Sequence, residues 1–190
     1  YIDRMAKDDA QVAKVAATWT CLAGHLRGTD PEMVFLELLN EPKMNDAARY
    51  QQVIESLHAA ARAAAPAHTI IIAGKHYSGV VDLVALKPLA DRNIVYNLHC
   101  YDPMIFTHQG SHWAWKPWQA CKGVPWPSTP DNVAAAIAGA DNERSKGLLR
   151  DYGRETWDGA RMAAILDQAA AWARQHDVAI TCNEFGVYKP

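Results

Sequence analysis

Short, nearly continuous apolar runs recur along the chain, and they limit the folds that it can adopt. Segments of strand length, rich in Val, Ile and Leu, lie at residues 33–40, 69–73, 93–99 and 178–183. Between them lie longer segments whose apolar residues repeat every three or four positions, which is the helical period. Alternating strands and helices are typical of βαβ units. The sequence therefore predicts an α/β fold with a parallel sheet, either doubly wound or closed into a barrel.

The predicted helices fill the intervals between these runs. They lie over about 2–27, from Asp46 to Pro66, near 79–87, from about Pro130-Asp131 onwards, and from Asp158 to Gln175. An insertion rich in Trp and Pro, at about 102–157, separates the third apolar run from the fourth. A complete (β/α)8 barrel takes roughly 250 residues, so a chain with about four strands would form only part of one.

The composition argues against several classes of partner. The chain has 190 residues, of which 49% are hydrophobic, and a formal net charge of −2. A nearly neutral chain has no electrostatic reason to bind nucleic acid or an anionic membrane, so neither partner is expected. No apolar run approaches the roughly 20 residues that span a bilayer. The chain begins with Tyr1 and shows no secretory signal, and we expect it to be part of a longer protein.

The cysteines are Cys21, Cys100, Cys121 and Cys182, and they lack the spacing of a metal site. Buried thiols are the simplest interpretation, and a Cys100–Cys121 disulfide is the alternative. No metal ion or other cofactor is predicted.

Two of the apolar runs end in a glutamate. Glu41 is followed by Pro42, which has no N–H group and interrupts strand pairing, and Glu184 lies two residues before Gly186. In parallel sheets and barrels, functional side chains gather at the carboxyl ends of the strands. Two carboxyl groups at such positions suit the cleavage of a glycosidic bond.

The third apolar run carries polar residues on one face. Because strand side chains alternate with period two, Asn97, His99 and Tyr101 share that face. Glu37 has the same parity as Glu41, so it is expected to point inward as a buried structural carboxylate. Its partner cannot be identified from the sequence, although burial without a partner would be costly.

Each of these residues also has a purely structural interpretation. A lone glutamate at a strand end is commonly a solvated loop residue, and a strand histidine is commonly a hydrogen-bonded core residue. The tryptophans of the insertion can pack beneath a long loop. The coincidence of polar groups at the same end of several strands favours a functional site.

Three motifs at the strand ends resemble glycoside hydrolase family 5, the cellulase family. They are Leu38-Leu-Asn-Glu-Pro42, His99-Cys-Tyr-Asp-Pro103 and Asn183-Glu-Phe-Gly186, and Phe106-Thr-His-Gln-Gly110 follows the second. The resemblance extends from about residue 10 to 188. It implies a (β/α)8 TIM barrel that is incomplete here, with about strands 4–7 and their helices. Residues 1–190 would then be a single partial catalytic domain, and hydrolysis would retain the anomeric configuration.

The same resemblance implies a role for each matching residue. Glu41 matches the general acid/base, and Glu184 matches the nucleophile. Asn40 matches the residue that holds the sugar 2-hydroxyl group. His99 and Tyr101 match the pair that orients the carboxylates and the reacting sugar.

The tryptophans that follow the second motif extend this interpretation. Trp113, Trp115 and Trp118 are expected to stack on glucosyl faces along a groove.

The implied function is that of a retaining endo-β-1,4-glucanase, a monomeric enzyme that is secreted or periplasmic. Its partner would be a β-linked polysaccharide or oligosaccharide. The alternatives are a β-mannanase or β-1,3-glucanase with the same carboxylates, and a non-catalytic carbohydrate-binding barrel. A metal-dependent hydrolase using His76, His99 and Glu184 is a further alternative, but no His-x-His or His-Glu-x-x-His spacing supports it.

The chain also departs from the family pattern. An Arg and a His of the family's early strands, and a Trp of its eighth strand, have no assignable counterpart. The isolated chain is therefore expected to expose sheet edges, to fold poorly and to be inactive. The proposed catalytic roles apply to the whole protein that contains it.

Overall fold

A computed structural model of the chain describes residues 2–188, apart from the side chain of residue 3. Residues 1, 189 and 190 of the predicted domain therefore lie outside the described residues. The described strands are β1 (Leu36–Glu37), β2 (Ile70–Ala73), β3 (Ile94–Cys100) and β4 (Ala179–Phe185). The described helices are α1 (Ile2–Met5), α2 (Asp9–Leu26), α3 (Ala47–Ala64), α4 (Val80–Val84), α5 (Met104–Thr107), α6 (Lys116–Gln119), α7 (Ala134–Gly139), α8 (Glu143–Glu155) and α9 (Gly159–His176).

The strands form one sheet in the order β1-β2-β3-β4. β1 pairs with β2, and β2 pairs with β3, both in the parallel sense. Leu36 lies opposite Ile70, and Ile70 lies opposite Ile94. Helix α3 connects β1 to β2, and α4 connects β2 to β3. This βαβ connectivity confirms the predicted parallel α/β sheet, and it places the carboxyl ends of β1, β2 and β3 at one edge.

Most predicted elements are present with shifted bounds. The helix predicted over about 2–27 is interrupted, because Asp8 is extended and accepts a hydrogen bond from the Ala10 N–H at 2.9 Å. This side-chain cap starts α2. The strand predicted over 33–40 is a strand only at Leu36–Glu37.

The insertion contains a helix that the sequence analysis did not predict. The helix expected from Pro130-Asp131 begins at Ala134 and ends at Gly139. Helix α8 follows it, and its buried residues are Ser145, Leu149, Tyr152 and Gly153. Two of these four are small or polar, so a search for apolar periodicity misses the buried face of α8.

The chain divides into two compact units. The first comprises Tyr1–His99 and Gln168–Asn183, and the second comprises Cys100–Asp167 and Glu184–Pro190. Among the described residues, no helix combines the length and the apolar character that a membrane span requires.

The core of the first unit is built around α3. Its buried residues are Tyr50, Val53, Ile54, Leu57 and Ala61. The predicted N-cap is also present, since the Asp46 side chain accepts a hydrogen bond from the Arg49 N–H at 3.1 Å. The Tyr50 hydroxyl donates to the Ala73 carbonyl at 2.8 Å, and burial raises the pKa of Tyr50 above its usual value. This hydrogen bond fixes α3 against the end of β2.

The core of the second unit is formed by the insertion. Its buried residues include Ile105, Cys121, Val133, Leu149 and Trp157. The Ser128 hydroxyl donates to the Tyr152 carbonyl at 2.7 Å and accepts from the Trp157 N–H at 2.8 Å. The hydroxyl therefore satisfies two buried backbone groups at the C-terminal end of α8.

None of the four cysteines, all within the described residues, forms a disulfide. The Cys100–Cys121 alternative is therefore wrong. Burial raises the pKa of Cys121 to about 11, so this thiol stays protonated at neutral pH. Cys21 is exposed on α2, and the prediction of a buried thiol is wrong there.

Asp91 joins α3 to the segment before β3. Its carboxylate accepts hydrogen bonds from His58 Nε2 and Arg62 Nε, each at 2.7 Å, and from the Asn93 N–H at 2.9 Å. Burial by itself would raise the pKa of Asp91. The hydrogen bonds from Asn93, His58 and Arg62, together with the Arg62 charge, lower it to about 2.

We expect Asp91→Asn to reduce the free energy of unfolding at pH 7 by about 1–2 kcal/mol, because one ion-paired hydrogen-bond acceptor is lost. A depressed carboxyl pKa contributes stability that is complete above the unfolded value of 3.8 and is lost as the pH falls towards about 2. The variant should therefore lose less stability than the wild type between pH 4 and pH 2. Urea unfolding across this range measures both effects. Asp167→Asn, an exposed substitution on α9, is the control, and equal pH dependence in all three proteins would contradict the prediction.

Candidate active site

Glu41 lies just beyond β1, with its carboxylate held by a histidine from β3. His99 Nδ1 lies 3.0 Å from Glu41 Oε1. The His99 side chain is 1% exposed and the Glu41 side chain 35%. The His99 backbone N–H donates to the Ser78 carbonyl at 2.9 Å, which fixes the end of β3. The site therefore contains a partly exposed carboxyl group that is hydrogen-bonded to a buried imidazole.

This pairing accommodates two protonation states of Glu41. An ionised Glu41 accepts a hydrogen bond from the Nδ1–H of His99, and a protonated Glu41 can donate to a neutral Nδ1. A carboxyl group that exchanges a proton during a reaction needs such a partner.

The backbone at Glu41 is unusual. Its φ is 42°, in the left-handed region that side-chain-bearing residues rarely adopt. Such a conformation costs on the order of 1–3 kcal/mol and persists only where the surrounding structure imposes it. The neighbouring Asn40 is exposed. The backbone therefore adopts this unusual conformation at the residue that carries the carboxylate, four residues after the end of β1.

Glu37 has the partners that the sequence could not identify. The Asn97 side-chain amide donates to Glu37 Oε1 at 3.3 Å, and that of Asn183 donates to Glu37 Oε2 at 3.2 Å. Asn97 Oδ1 in turn accepts the Asn183 backbone N–H at 3.2 Å. We call these three residues the Glu37 network. It joins β1, β3 and β4 through three residues that all lie in the first unit.

Glu184 and Tyr101 belong to the second unit and contact each other. The Tyr101 hydroxyl donates to Glu184 Oε2 at 3.1 Å. The Tyr101 backbone carbonyl accepts from the Thr107 hydroxyl at 2.6 Å, and its ring packs edge-on against His108 with centroids 5.3 Å apart. These contacts hold the tyrosine in place, so its hydroxyl is aimed at the carboxylate.

The three predicted stacking tryptophans differ in exposure. Trp113 is 60% exposed and Trp115 is 46% exposed, whereas Trp118 is half-buried. The Trp115 and Trp118 rings meet edge to face at 5.5 Å, and His108 packs against Trp113 at 5.0 Å. The Arg144 guanidinium lies over the Trp115 ring at 5.5 Å from its centroid, so Trp113 offers the more open aromatic surface. The stacking role of the three tryptophans stays a prediction.

A cavity of about 560 Å³ lies in the second unit beside Trp118. Asp102 and Trp157 also line it. Burial raises the pKa of Asp102 above its usual value, so this carboxyl group holds its proton to a higher pH than a surface aspartate. Asp102 directly follows Tyr101 in the second motif, and this position was the sequence signal that could have identified it.

His76, which the metal-dependent alternative requires, has other contacts. Its ring packs edge-on against Tyr77 with centroids 4.7 Å apart, and its backbone pairs with Lys43 in an isolated antiparallel bridge. The metal-dependent alternative stays a prediction.

Comparison with known proteins identifies the family. The sequence profile of cellulase (glycosyl hydrolase family 5) matches residues 1–189. The chain therefore belongs to the cellulase family of glycoside hydrolases.

Individual relatives agree with this assignment. Endoglucanase 3 of Fibrobacter succinogenes is 30% identical over 194 residues, covering 98% of this chain and 29% of the relative. Endoglucanase C of Acetivibrio thermocellus is 24% identical over 181 residues, covering 95% of this chain and 52% of the relative. The chain thus spans about half, or less, of the length of these relatives.

Solved structures support the fold. A mutant form of Thermotoga maritima Cel5A in complex with cellobiose is 23% identical with a TM-score of 0.72, covering 100% of this chain and 52% of that chain. The Clostridioides difficile cellulose synthase subunit Z is 20% identical with a TM-score of 0.61, covering 98% and 66%. The predicted fold, part of a (β/α)8 TIM barrel, is confirmed.

Proposed function

We propose that the protein containing this chain is a retaining endo-β-1,4-glucanase. The observation that carries the proposal is that the two glutamates of the family motifs each have a hydrogen-bonding partner suited to one catalytic role. Glu41 pairs with a buried imidazole at 3.0 Å, and Glu184 pairs with a tyrosine hydroxyl at 3.1 Å. Membership of the cellulase family and two endoglucanase relatives support the same reaction.

The proposed reaction has two displacements. In the first, the Glu184 carboxylate attacks the anomeric carbon while Glu41 protonates the departing glycosidic oxygen, which gives a covalent glycosyl-enzyme. In the second, Glu41 removes a proton from a water molecule that attacks the same carbon and releases Glu184. Two inversions restore the original anomeric configuration.

The neighbouring residues suit each carboxyl group to a different catalytic role. A hydrogen bond from the Tyr101 hydroxyl stabilises the Glu184 anion, which must be ionised in order to attack. His99 contacts Glu41 through a nitrogen that can serve either protonation state, as the acid/base cycle requires. Asn40 is proposed to bind the sugar 2-hydroxyl group.

The proposed substrate is a β-1,4-linked glucan. The exposed indoles of Trp113 and Trp115 suit the apolar faces of glucosyl units, and Trp118 is proposed to take part in the same stacking. Thermotoga maritima Cel5A structures exist in complex with cellobiose and with mannotriose. A β-mannanase is therefore the second candidate, and a β-1,3-glucanase and a non-catalytic sugar-binding barrel are further alternatives.

The remaining proposals concern the setting of the reaction. A polymeric substrate lies outside the cell membrane, so we propose a secreted or periplasmic enzyme that acts as a monomer. We also propose that residues 1–190 form part of a single catalytic domain. No cofactor is needed for a two-glutamate mechanism.

The test is hydrolysis by the protein at its natural length. We expect release of reducing ends from a soluble β-1,4-glucan, with a rapid fall in viscosity because the chain is cut internally. Proton NMR of the first product should show the β-anomer before mutarotation. An α-anomer would contradict the double displacement. Activity on mannan or on β-1,3-glucan, without activity on β-1,4-glucan, would show that the proposed substrate is wrong. Sugar binding without hydrolysis would favour the non-catalytic alternative.

A further inference from the structure

The Glu37 network links strands that are not all neighbours in the sheet. Glu37 lies in β1, Asn97 in β3 and Asn183 in β4, while β2 lies between β1 and β3. Hydrogen bonds within the network therefore reach across the face of the sheet. Their lengths are 3.2 and 3.3 Å for the two amide-to-carboxylate bonds and 3.2 Å for the bond from the Asn183 backbone N–H.

The orientation of each side-chain amide in the network follows from the hydrogen bonds that its neighbours make. An ionised carboxylate only accepts hydrogen bonds, so both asparagines must present their NH₂ groups to Glu37. With its NH₂ group so placed, Asn97 presents its carbonyl oxygen to the Asn183 backbone N–H. A side chain thus satisfies this N–H of β4, and the orientation of that side chain depends on Glu37.

The network ties β4 to a buried residue of β3. Asn97 is fully buried, and its side-chain oxygen accepts the Asn183 backbone N–H at 3.2 Å. The backbone of β4 at Asn183 is therefore held by a side chain that lies in the core.

We infer that Glu37 is a positioning residue for the nucleophile. By orienting Asn97 and Asn183, it fixes the backbone of β4 at the residue that is peptide-bonded to Glu184. This inference rests on the proposed function, because it assigns Glu184 the attacking role. A carboxylate in a half-buried position costs desolvation free energy, and an apolar side chain there would leave both amides without their acceptor.

The experiment compares three variants of the natural-length protein. Glu37→Gln replaces one acceptor oxygen with an NH₂ group, which cannot accept from an asparagine amide. Adding Asn183→Asp to Glu37→Gln restores the pairing, because the new amide then donates to the new carboxylate and the net charge is unchanged. Glu32→Gln, on an exposed turn residue, controls for loss of a carboxylate elsewhere.

We expect Glu37→Gln to lower kcat by about 10- to 100-fold with little change in KM, as a misplaced reacting group does. Hydrogen exchange at the Asn183 amide should accelerate. The double variant should recover most of kcat and slow the exchange again, while Glu32→Gln matches the wild type in both. Urea unfolding of each variant, measured beside kcat, separates a loss of positioning from a loss of stability.

Two results would overturn this inference and leave the proposed function intact. One is a wild-type kcat in Glu37→Gln. The other is a loss of kcat that is proportional to the unfolded fraction measured in urea and is not recovered by Asn183→Asp. Wild-type protein without glycosidase activity would overturn the proposed function, and the positioning role with it. The hydrogen-exchange result would still show whether Glu37 holds β4.

Discussion

Replacing Glu184 with alanine is expected to lower kcat for β-glucan hydrolysis on the order of 10⁴-fold, because alanine cannot form the covalent intermediate. Glu41→Ala should cause a comparable loss on a natural polymer, whose leaving group needs a proton. Glu55→Gln, on the exposed face of α3, should leave the rate unchanged.

The two losses can be told apart with an aryl β-cellobioside whose leaving group needs no proton. With Glu41→Ala, the first step should remain fast and the glycosyl-enzyme should accumulate, since the water lacks its base. Added azide should then attack the intermediate and give the β-glycosyl azide, after two inversions. With Glu184→Ala, azide should fill the vacated space, attack once and give the α-glycosyl azide.

The anomer of the azide product thus assigns each role independently of the rate. The same anomer from both variants, or no azide product from either, would contradict the assignment of Glu41 and Glu184. Equal activity of both variants and the wild type would exclude the two carboxyl groups from the reaction altogether.

Gly74→Ala is expected to reduce the free energy of unfolding by about 3 kcal/mol, at the upper end of overpacking effects. Gly74 directly follows β2 and is buried. A Cβ at this position would lie 2.6 Å from the Leu83 backbone nitrogen and 2.7 Å from the Asp82 backbone carbon. These atoms belong to α4, so the whole helix would have to move away from the strand end.

Gly24→Ala is the matched comparison. Gly24 lies in α2, is exposed, and an added Cβ would meet nothing within 4 Å. Alanine should therefore raise stability by about 0.5–1 kcal/mol, through its better helix propensity. Urea unfolding of both variants measures the difference. Equal effects of the two substitutions would show that the approach of α4 to Gly74 is not a constraint.

The accuracy of sequence-based prediction varied with the physical signal that each element carries. α3 has an apolar residue at nearly every core position and an aspartate cap, and it was predicted almost to the residue. α8 buries a serine and a glycine beside Leu149 and Tyr152, so its apolar pattern was too sparse to predict it. The strand over 33–40 was predicted too long, because an apolar run does not reveal where pairing stops.

In the candidate site, too, local patterns were predictable from the sequence and distant contacts were not. Strand parity placed Asn97 and His99 on one face of β3, and their contacts with Glu37 and Glu41 agree with that placement. The parity of Glu37 indicated an inward carboxylate in need of a partner. The identity of that partner was inaccessible, since Asn183 lies 146 residues away in the chain and no local pattern links the two.

The sequence by itself determined the alternation of strands and helices, the motifs at the strand ends and the family. These properties depend on local periodicity and on the order of residues along a single segment. Only the tertiary structure decided which groups meet: His99 with Glu41, Tyr101 with Glu184, and Glu37 with two asparagines. Such pairs are set by how strands and loops distant in sequence come together, because hydrogen bonds depend on distances of a few ångströms that no spacing along the chain encodes.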